Sequence, residues 1–125
     1  MTVHGVGIDV ADVSRLARLV ERGETFTRRW FTPDEVTECA AAQVPADAYA
    51  GRFAAKEAVW KAMGLQWDGP VPWLSIAVVS AGDGLAVRLD GAVGKAAGSA
   101  GVGSISVTIS ATASLATAVA IAERR

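Results

Sequence analysis

Five stretches of this 125-residue chain predict β-strands, most of them because apolar and polar residues alternate along them. The alternation is clearest at residues 104–110, where Ile105, Val107 and Ile109 are separated by Ser or Thr. An Ala-Gly-Asp-Gly sequence at residues 81–84 is typical of a hairpin turn between two of the strands. The predicted strands cover residues 3–9, 73–79, 85–89, 104–110 and 115–122.

Between these strands, apolar residues recur at three- and four-residue spacing, which predicts helices. Local signals mark the helix ends: Asp12 and Thr32 are candidate N-caps, Glu35 completes a capping box with Thr32, and Gly64 is a stop signal. The predicted helices cover residues 13–22, 33–42, 48–63 and, less regularly, 90–98. We therefore expect one α+β domain over residues 1–125, with an antiparallel sheet packed against helices.

Composition excludes several classes of protein. The net charge of −1 argues against a strongly basic nucleic-acid-binding protein. No apolar run reaches the roughly 18 residues of a membrane span, and no charged-then-apolar leader is recognisable. The single cysteine, Cys39, cannot form an internal disulfide and is expected to be a buried packing residue, which suits a reducing compartment. We expect a cytoplasmic protein that contacts neither membrane nor nucleic acid.

The long helix carries the most informative polar residues. Glu57 and Lys61 lie four apart on one face, where they could form only a surface ion pair worth about 0.3–0.5 kcal/mol. They could instead be a metal-binding carboxylate beside a phosphate-binding lysine. Mg²⁺ is usually held by one or two carboxylates together with substrate phosphates. Asp9, at the end of the first strand, is a candidate second carboxylate, since Asp12 is the more natural N-cap of the following helix.

Arginines are concentrated near the N-terminal end of the chain, although the protein as a whole is slightly acidic. Arg15, Arg18 and Arg22 lie on the polar face of the first helix, and Arg28 and Arg29 follow. The arginine-rich face is either a solvated helix surface or a docking surface for an acidic partner.

Two motifs together resemble those of a known family. The first is Gly7-Ile-Asp9, followed by a helix that carries Arg15; the second is Arg52-Phe-x-x-Lys-Glu-Ala-x-x-Lys-Ala-x-Gly64. This combination resembles the holo-acyl-carrier-protein synthases, the short trimeric type of 4′-phosphopantetheinyl transferase. The resemblance covers nearly the whole chain, including its length and the order of its elements, and it implies the fold of that family.

The resemblance also implies a reaction: a serine of an apo carrier protein attacks the β-phosphate of coenzyme A, and adenosine 3′,5′-bisphosphate leaves. By this resemblance Asp9 and Glu57 would bind Mg²⁺, Lys61 would contact the pyrophosphate, and Arg52 and Gly64 would lie along the coenzyme A site. The acidic carrier protein would meet Arg15, Arg18 and Arg22. The serine proton would pass to Glu57 or to a metal-bound water. A homotrimer with sites at its subunit interfaces is implied as well.

The sequence departs from the family pattern at two places. Ser110-Ala111-Thr112 replaces a Ser-His-Asp or Ser-His-Thr turn, and Asp83-Gly84-Leu85 replaces a Gly-Lys-Pro or Gly-Arg-Pro turn. One alternative is therefore a catalytically impaired relative that binds a carrier protein without modifying it. Another is an unrelated small α+β oligomer in which Glu57 and Lys61 form only a surface pair.

Overall fold

The structure is a computed structural model that describes residues 2–125 and contains five strands and five helices in that range. A short 3₁₀ turn, Trp73–Ser75, precedes the second strand. In chain order the elements are β1 (Val3–Asp12), α1 (Val13–Glu21), α2 (Glu24–Trp30), α3 (Pro33–Ala40), α4 (Pro45–Met63), β2 (Ile76–Ala81), β3 (Gly84–Leu89), α5 (Gly91–Ser99), β4 (Val102–Ala111) and β5 (Leu115–Arg124).

Both sheets are antiparallel, which confirms the predicted α+β class. The larger sheet has the order β1-β5-β4, so the last strand of the chain lies between the first and the fourth. Val119 on β5 is paired with Ile8 on one side and Thr108 on the other. The hairpin of β2 and β3 forms a separate two-stranded sheet, turning at Gly82 and Asp83 as the sequence predicts.

Helix α4 crosses one face of the three-stranded sheet and forms the centre of the core. Small residues let the two layers approach closely, and Gly5 and Gly7 of β1 lie against the backbone of α4. The buried alanines at this contact are Ala54, Ala55, Ala58 and Ala62 of α4 with Ala116, Ala118, Ala120 and Ala122 of β5. Among residues 2–125 no helix is both long and apolar enough to cross a bilayer, although α4 has 19 residues.

The opposite face of the same sheet is apolar and lies open. Val6, Ile8 and Val10 of β1 are 60, 59 and 54 % exposed, and Ile121 of β5 is 39 % exposed. Val6 is paired with Ile121, and Ile8 with Val119, so these side chains form one continuous surface, called here the outer apolar face. Exposed apolar patches of this kind often mark protein–protein contacts.

An aromatic cluster joins α2, α4 and the 3₁₀ turn. Phe31 is buried, whereas Phe26 and Trp30 are only partly buried. Trp30 stacks on Trp73 with ring centroids 4.4 Å apart. Cys39 is fully buried, and burial raises the pKa of its thiol to about 12, which confirms the predicted packing role.

Strand β1 extends beyond its predicted end. It continues past Asp9 to Asp12, so Asp9 lies within the strand rather than at its end.

Other elements also differ from the predictions. Helix α2 was not expected; it has only seven residues, and Gly23 at its N-cap provides no side-chain hydrogen bond. Helix α4 begins at Pro45 rather than near residue 48, because a proline at the first helical position needs no N–H donor. The predicted strand at residue 73 begins only at Ile76, since Trp73 packs into the aromatic cluster within the 3₁₀ turn.

Candidate active site

Strand β1 and helix α4 bring Asp9, Glu57 and Lys61 together. The ammonium of Lys61 donates to Asp9 Oδ1 at 2.8 Å and to the carbonyl oxygen of Ile8 at 3.1 Å. Glu57 lies close enough to Asp9 for the charge of Asp9 to act on its carboxyl group. Lys61 therefore forms its ion pair with the aspartate of the neighbouring strand, and the simple Glu57–Lys61 surface pair is not what the structure shows.

The local fold explains why these residues meet. Strand β1 continues past Asp9 to Asp12 and lies against the C-terminal half of α4, where Gly5 and Gly7 contact the helix backbone at Ala62 and Ala58. At the far end of this contact, His4 Nε2 lies 2.8 Å from the carbonyl oxygen of Met63. The only histidine of the chain thus links the start of β1 to the end of α4.

Burial and the neighbouring carboxylate dominate the electrostatics of the site. Burial, the negative charge of Asp9 and the hydrogen bond to Asp9 raise the pKa of Glu57 to about 7, while Lys61 and Arg15 act in the opposite direction. The hydrogen bond to Asp9 raises the pKa of Lys61. The two carboxylates repel each other when both are ionised, so a further cation at the site would stabilise the charged form of Glu57.

The donor set fits a magnesium ion. Asp9 and Glu57 offer hard carboxylate oxygens, and the raised pKa of Glu57 is the behaviour of a carboxyl group whose charged form a cation would stabilise. No group of three or more metal-binding side chains occurs within residues 2–125. Two carboxylates are sufficient for Mg²⁺, whose other positions are commonly filled by water and substrate phosphates.

The other predicted coenzyme A residues lie on α4 as well, but away from the acidic pair. Arg52 donates to the carbonyl oxygen of Val78 at 2.9 Å and pairs with Glu38 at 2.8 Å, so its guanidinium is engaged with β2 and α3. Gly64 ends α4 in the left-handed conformation (φ 59°) and is exposed. The structure does not bring Arg52 to the Asp9 carboxylate, and its contact with coenzyme A stays a prediction.

The three arginines predicted to bind a carrier protein are all exposed on α1. Asp12 caps this helix by accepting a hydrogen bond from the Arg15 backbone N–H at 3.1 Å, as predicted. Next to the arginines, a cavity of about 260 Å³ opens between α1 and α2. Its lining combines apolar and basic side chains, chiefly Leu19, Phe26, Trp30, Arg22 and Arg29.

The sequence interpretation missed a buried ion pair beside the site. Lys56 and Glu35 are both fully buried, with Lys56 Nζ 2.6 Å from Glu35 Oε1. Glu35 also accepts hydrogen bonds from the backbone N–H groups of Thr32 and Val78, each at 2.8 Å. The capping-box pattern pointed to Glu35 at the start of α3, but nothing in the sequence indicated its pairing with Lys56.

The turn between β4 and β5 is well ordered without the histidine of the family pattern. Thr112 Oγ1 accepts hydrogen bonds from the N–H groups of Ser114 and Leu115, at 3.4 and 3.2 Å. The carbonyl oxygen of Ser114 accepts from the N–H of Val13 at 3.0 Å, which ties the turn to the start of α1. Ala111 is exposed at the end of β4 and offers no titratable group there.

Comparisons with known proteins show to which family the sequence of this chain is similar. Residues 5–118 match the model of the 4′-phosphopantetheinyl transferase superfamily. A holo-[acyl-carrier-protein] synthase from Anaeromyxobacter sp. (strain K) is 39% identical in an alignment of 125 positions. The alignment covers 97% of this chain and 96% of that protein.

Two solved structures are similar in fold. The crystal structure of holo-[acyl-carrier-protein] synthase from Neisseria meningitidis has a TM-score of 0.86 at 30% identity, covering 98% of this chain and 100% of that one. The Helicobacter pylori enzyme, solved in complex with coenzyme A, has a TM-score of 0.80 at 27% identity, and the match covers 94% of this chain and 99% of that one. This chain therefore belongs to the holo-[acyl-carrier-protein] synthases of the 4′-phosphopantetheinyl transferase superfamily.

Proposed function

We propose that this protein transfers the 4′-phosphopantetheine arm of coenzyme A to a serine of an apo acyl carrier protein, in a reaction that needs Mg²⁺. The observation that carries the proposal is the meeting of Asp9, Glu57 and Lys61 at the contact between β1 and α4. The coenzyme A bound to the Helicobacter pylori relative supports the choice of donor.

Asp9 and Glu57 are the proposed magnesium ligands. When bound, the ion would act as a Lewis acid and neutralise charge on the pyrophosphate of coenzyme A. The protein contributes the positions of the two carboxylates, which come from a strand and a helix rather than from mobile loops. This arrangement suits phosphoryl transfer, which depends on positioning and charge neutralisation more than on covalent catalysis.

Lys61 and Glu57 have separate roles in the proposed reaction. The serine oxygen forms a bond to the β-phosphorus, and the bond to the departing adenosine 3′,5′-bisphosphate breaks. Lys61, half-exposed and anchored by Asp9, is placed to stabilise negative charge on the phosphates. The serine proton passes to Glu57 or to a water.

The arginine-rich face is the proposed docking surface for the acidic carrier protein. Arg15, Arg18 and Arg22 supply positive charge, and the neighbouring cavity adds apolar contacts from Leu19 and Trp30. An amphipathic acidic helix would match both features, since its charges can face the arginines while its apolar side packs into the cavity. The same surface would serve binding without catalysis, which is the second candidate function favoured by Ala111.

The outer apolar face is the proposed surface for self-association into a homotrimer with sites at its subunit interfaces. Val6, Ile8 and Val10 are more than half exposed, although apolar side chains of this size favour burial. Packing against other copies of the chain would remove this surface from water. A cytoplasmic location, where coenzyme A and carrier protein would both be available, is part of the same proposal.

Intact-mass spectrometry tests the proposed reaction directly. Apo carrier protein incubated with this protein, Mg²⁺ and coenzyme A should gain the mass of one phosphopantetheine arm. Glu57→Gln should abolish the gain, whereas the control Asp68→Asn, on an exposed loop, should leave it unchanged. No gain with any acidic carrier protein, together with salt-sensitive binding, would support the non-catalytic alternative.

A further inference from the structure

The contact between β1 and α4 is closest at Gly7. A Cβ atom added there would lie 2.8 Å from the backbone nitrogen of Ala62 and 2.9 Å from the carbonyl carbon of Ala58, and closer still to the Ala58 oxygen. All three obstacles are backbone atoms of the helix and cannot rotate away as a side chain would. Any side chain at this position would therefore push the strand and the helix apart.

This contact lies directly beside the proposed metal site. Ala58 and Ala62 immediately follow Glu57 and Lys61 on α4, and Gly7 precedes Asp9 by two residues on β1. We infer that Gly7 is a positioning residue: its missing side chain sets the distance between β1 and α4 at which Asp9 meets Glu57 and Lys61. The inference rests on the proposed function of Asp9 and Glu57 as magnesium ligands.

The geometry leaves little room for a wider spacing. Asp9 has a short side chain, yet its Oδ1 lies 2.8 Å from the Lys61 ammonium, which also reaches the Ile8 carbonyl at 3.1 Å. Mg²⁺ requires ligand distances of about 2.0–2.1 Å in near-octahedral geometry. In enzymes generally, a misplacement of about 1 Å can cost around 100-fold in activity. A shift of β1 by this distance from α4 would separate the two proposed ligands, because one is on the strand and the other on the helix.

Gly5 provides a matched control on the same strand. Its added Cβ would also meet backbone, the carbonyl group of Ala62, so Gly5→Ala should disturb packing to a similar degree. Gly5 lies four residues from Asp9, however, and next to the irregular register between Val3 and Gly5, which can absorb a local shift. Gly5→Ala should therefore lower stability without separating Asp9 from Glu57.

The experiment measures binding of Mn²⁺ as a probe for the magnesium site, without coenzyme A or carrier protein, by electron paramagnetic resonance of the free ion. Mn²⁺ shares the oxygen-ligand preference of Mg²⁺. Gly7→Ala should weaken Mn²⁺ binding at least tenfold, whereas Gly5→Ala should remain within about threefold of the wild type. Circular dichroism establishes that each variant is folded at the temperature used.

Each outcome decides a separate question. A folded Gly7→Ala protein with wild-type Mn²⁺ affinity would overturn the inference. If Gly7→Ala does not fold, Asp9→Glu tests the same spacing in the native backbone: the longer carboxylate should also weaken binding at least tenfold, and unchanged binding would overturn the inference. Absence of Mn²⁺ binding by the wild type would instead refute the proposed metal ligands themselves.

Discussion

Replacing Lys56 with methionine should destabilise the protein strongly. The side chains of Lys56 and Glu35 are both fully buried, and their charged groups lie 2.6 Å apart. Methionine keeps most of the aliphatic stem of the lysine but removes the ammonium, whose nitrogen lies 5.7 Å from the centroid of the Phe31 ring. Glu35 would retain its two backbone N–H donors and lose its only charged partner among the described contacts.

The expected loss follows from the burial of the remaining carboxylate. Breaking a buried ion pair by removing one partner costs about 3–5 kcal/mol, because an uncompensated charge stays in a poorly solvated position. Domains of this kind have total stabilities of about 5–15 kcal/mol, so the variant would be close to unfolding at 37 °C. Burial lowers the pKa of Lys56 while the Glu35 charge raises it, which is consistent with an amine that depends on its partner to stay protonated.

Urea denaturation of a double-mutant cycle provides the assay. The losses in free energy of unfolding caused by Lys56→Met and by Glu35→Gln should not sum to the loss in the double variant. The difference should be about 1–3 kcal/mol, since the neutral glutamine no longer needs the ammonium. Lys95→Met, at an exposed position on α5, is the control and should stay within about 0.5 kcal/mol of the wild type. Additive single effects, or a Lys56→Met protein as stable as the wild type, would refute the assigned role of the pair.

Three further predictions concern the site and its surroundings. Because the pKa of Glu57 is raised to about 7, its metal-free carboxyl is protonated below that pH. Mg²⁺ affinity measured by calorimetry should therefore fall as the pH drops from 7 to 5, and a constant affinity would contradict the raised pKa of Glu57. Arg15→Ala should weaken carrier-protein binding and make it less salt-sensitive, whereas Arg88→Ala, an exposed arginine on β3, should change neither. Val6→Lys should dissociate any oligomer in analytical ultracentrifugation, while Val44→Lys, also exposed but outside the outer apolar face, should not.

Local signals made much of the secondary structure predictable. Thr32 and Glu35 form the expected capping box, Asp12 caps α1, and Gly64 ends α4 in the left-handed conformation. These ends depend on residues within a few positions of each other, so the sequence contains the necessary information. Helix α2 has no such cap, and its seven residues are held mainly by the aromatic contacts of Phe26 and Trp30, which only the folded chain brings together.

The candidate site was predictable in part, for a different reason. Asp9 and Glu57 are 48 positions apart, and only the resemblance to a family linked them, because neither motif alone is specific. The burial of Lys56 was not predictable. Apolar residues surround α4 on nearly all sides, so helical periodicity does not show which polar side chain faces inward.

Both charged clusters on α4 contain carboxylates that are removed from water, and they differ in how the negative charge is compensated. Glu35 is buried with a lysine that matches its charge, so this pair adds stability only while both partners are present. Asp9 and Glu57 place two carboxylates beside one lysine, which leaves an excess of negative charge that a proton relieves near pH 7. At the proposed metal site, the backbone contact at Gly7 would limit how far the two carboxylates can move apart, and a divalent cation would compete with that proton for them.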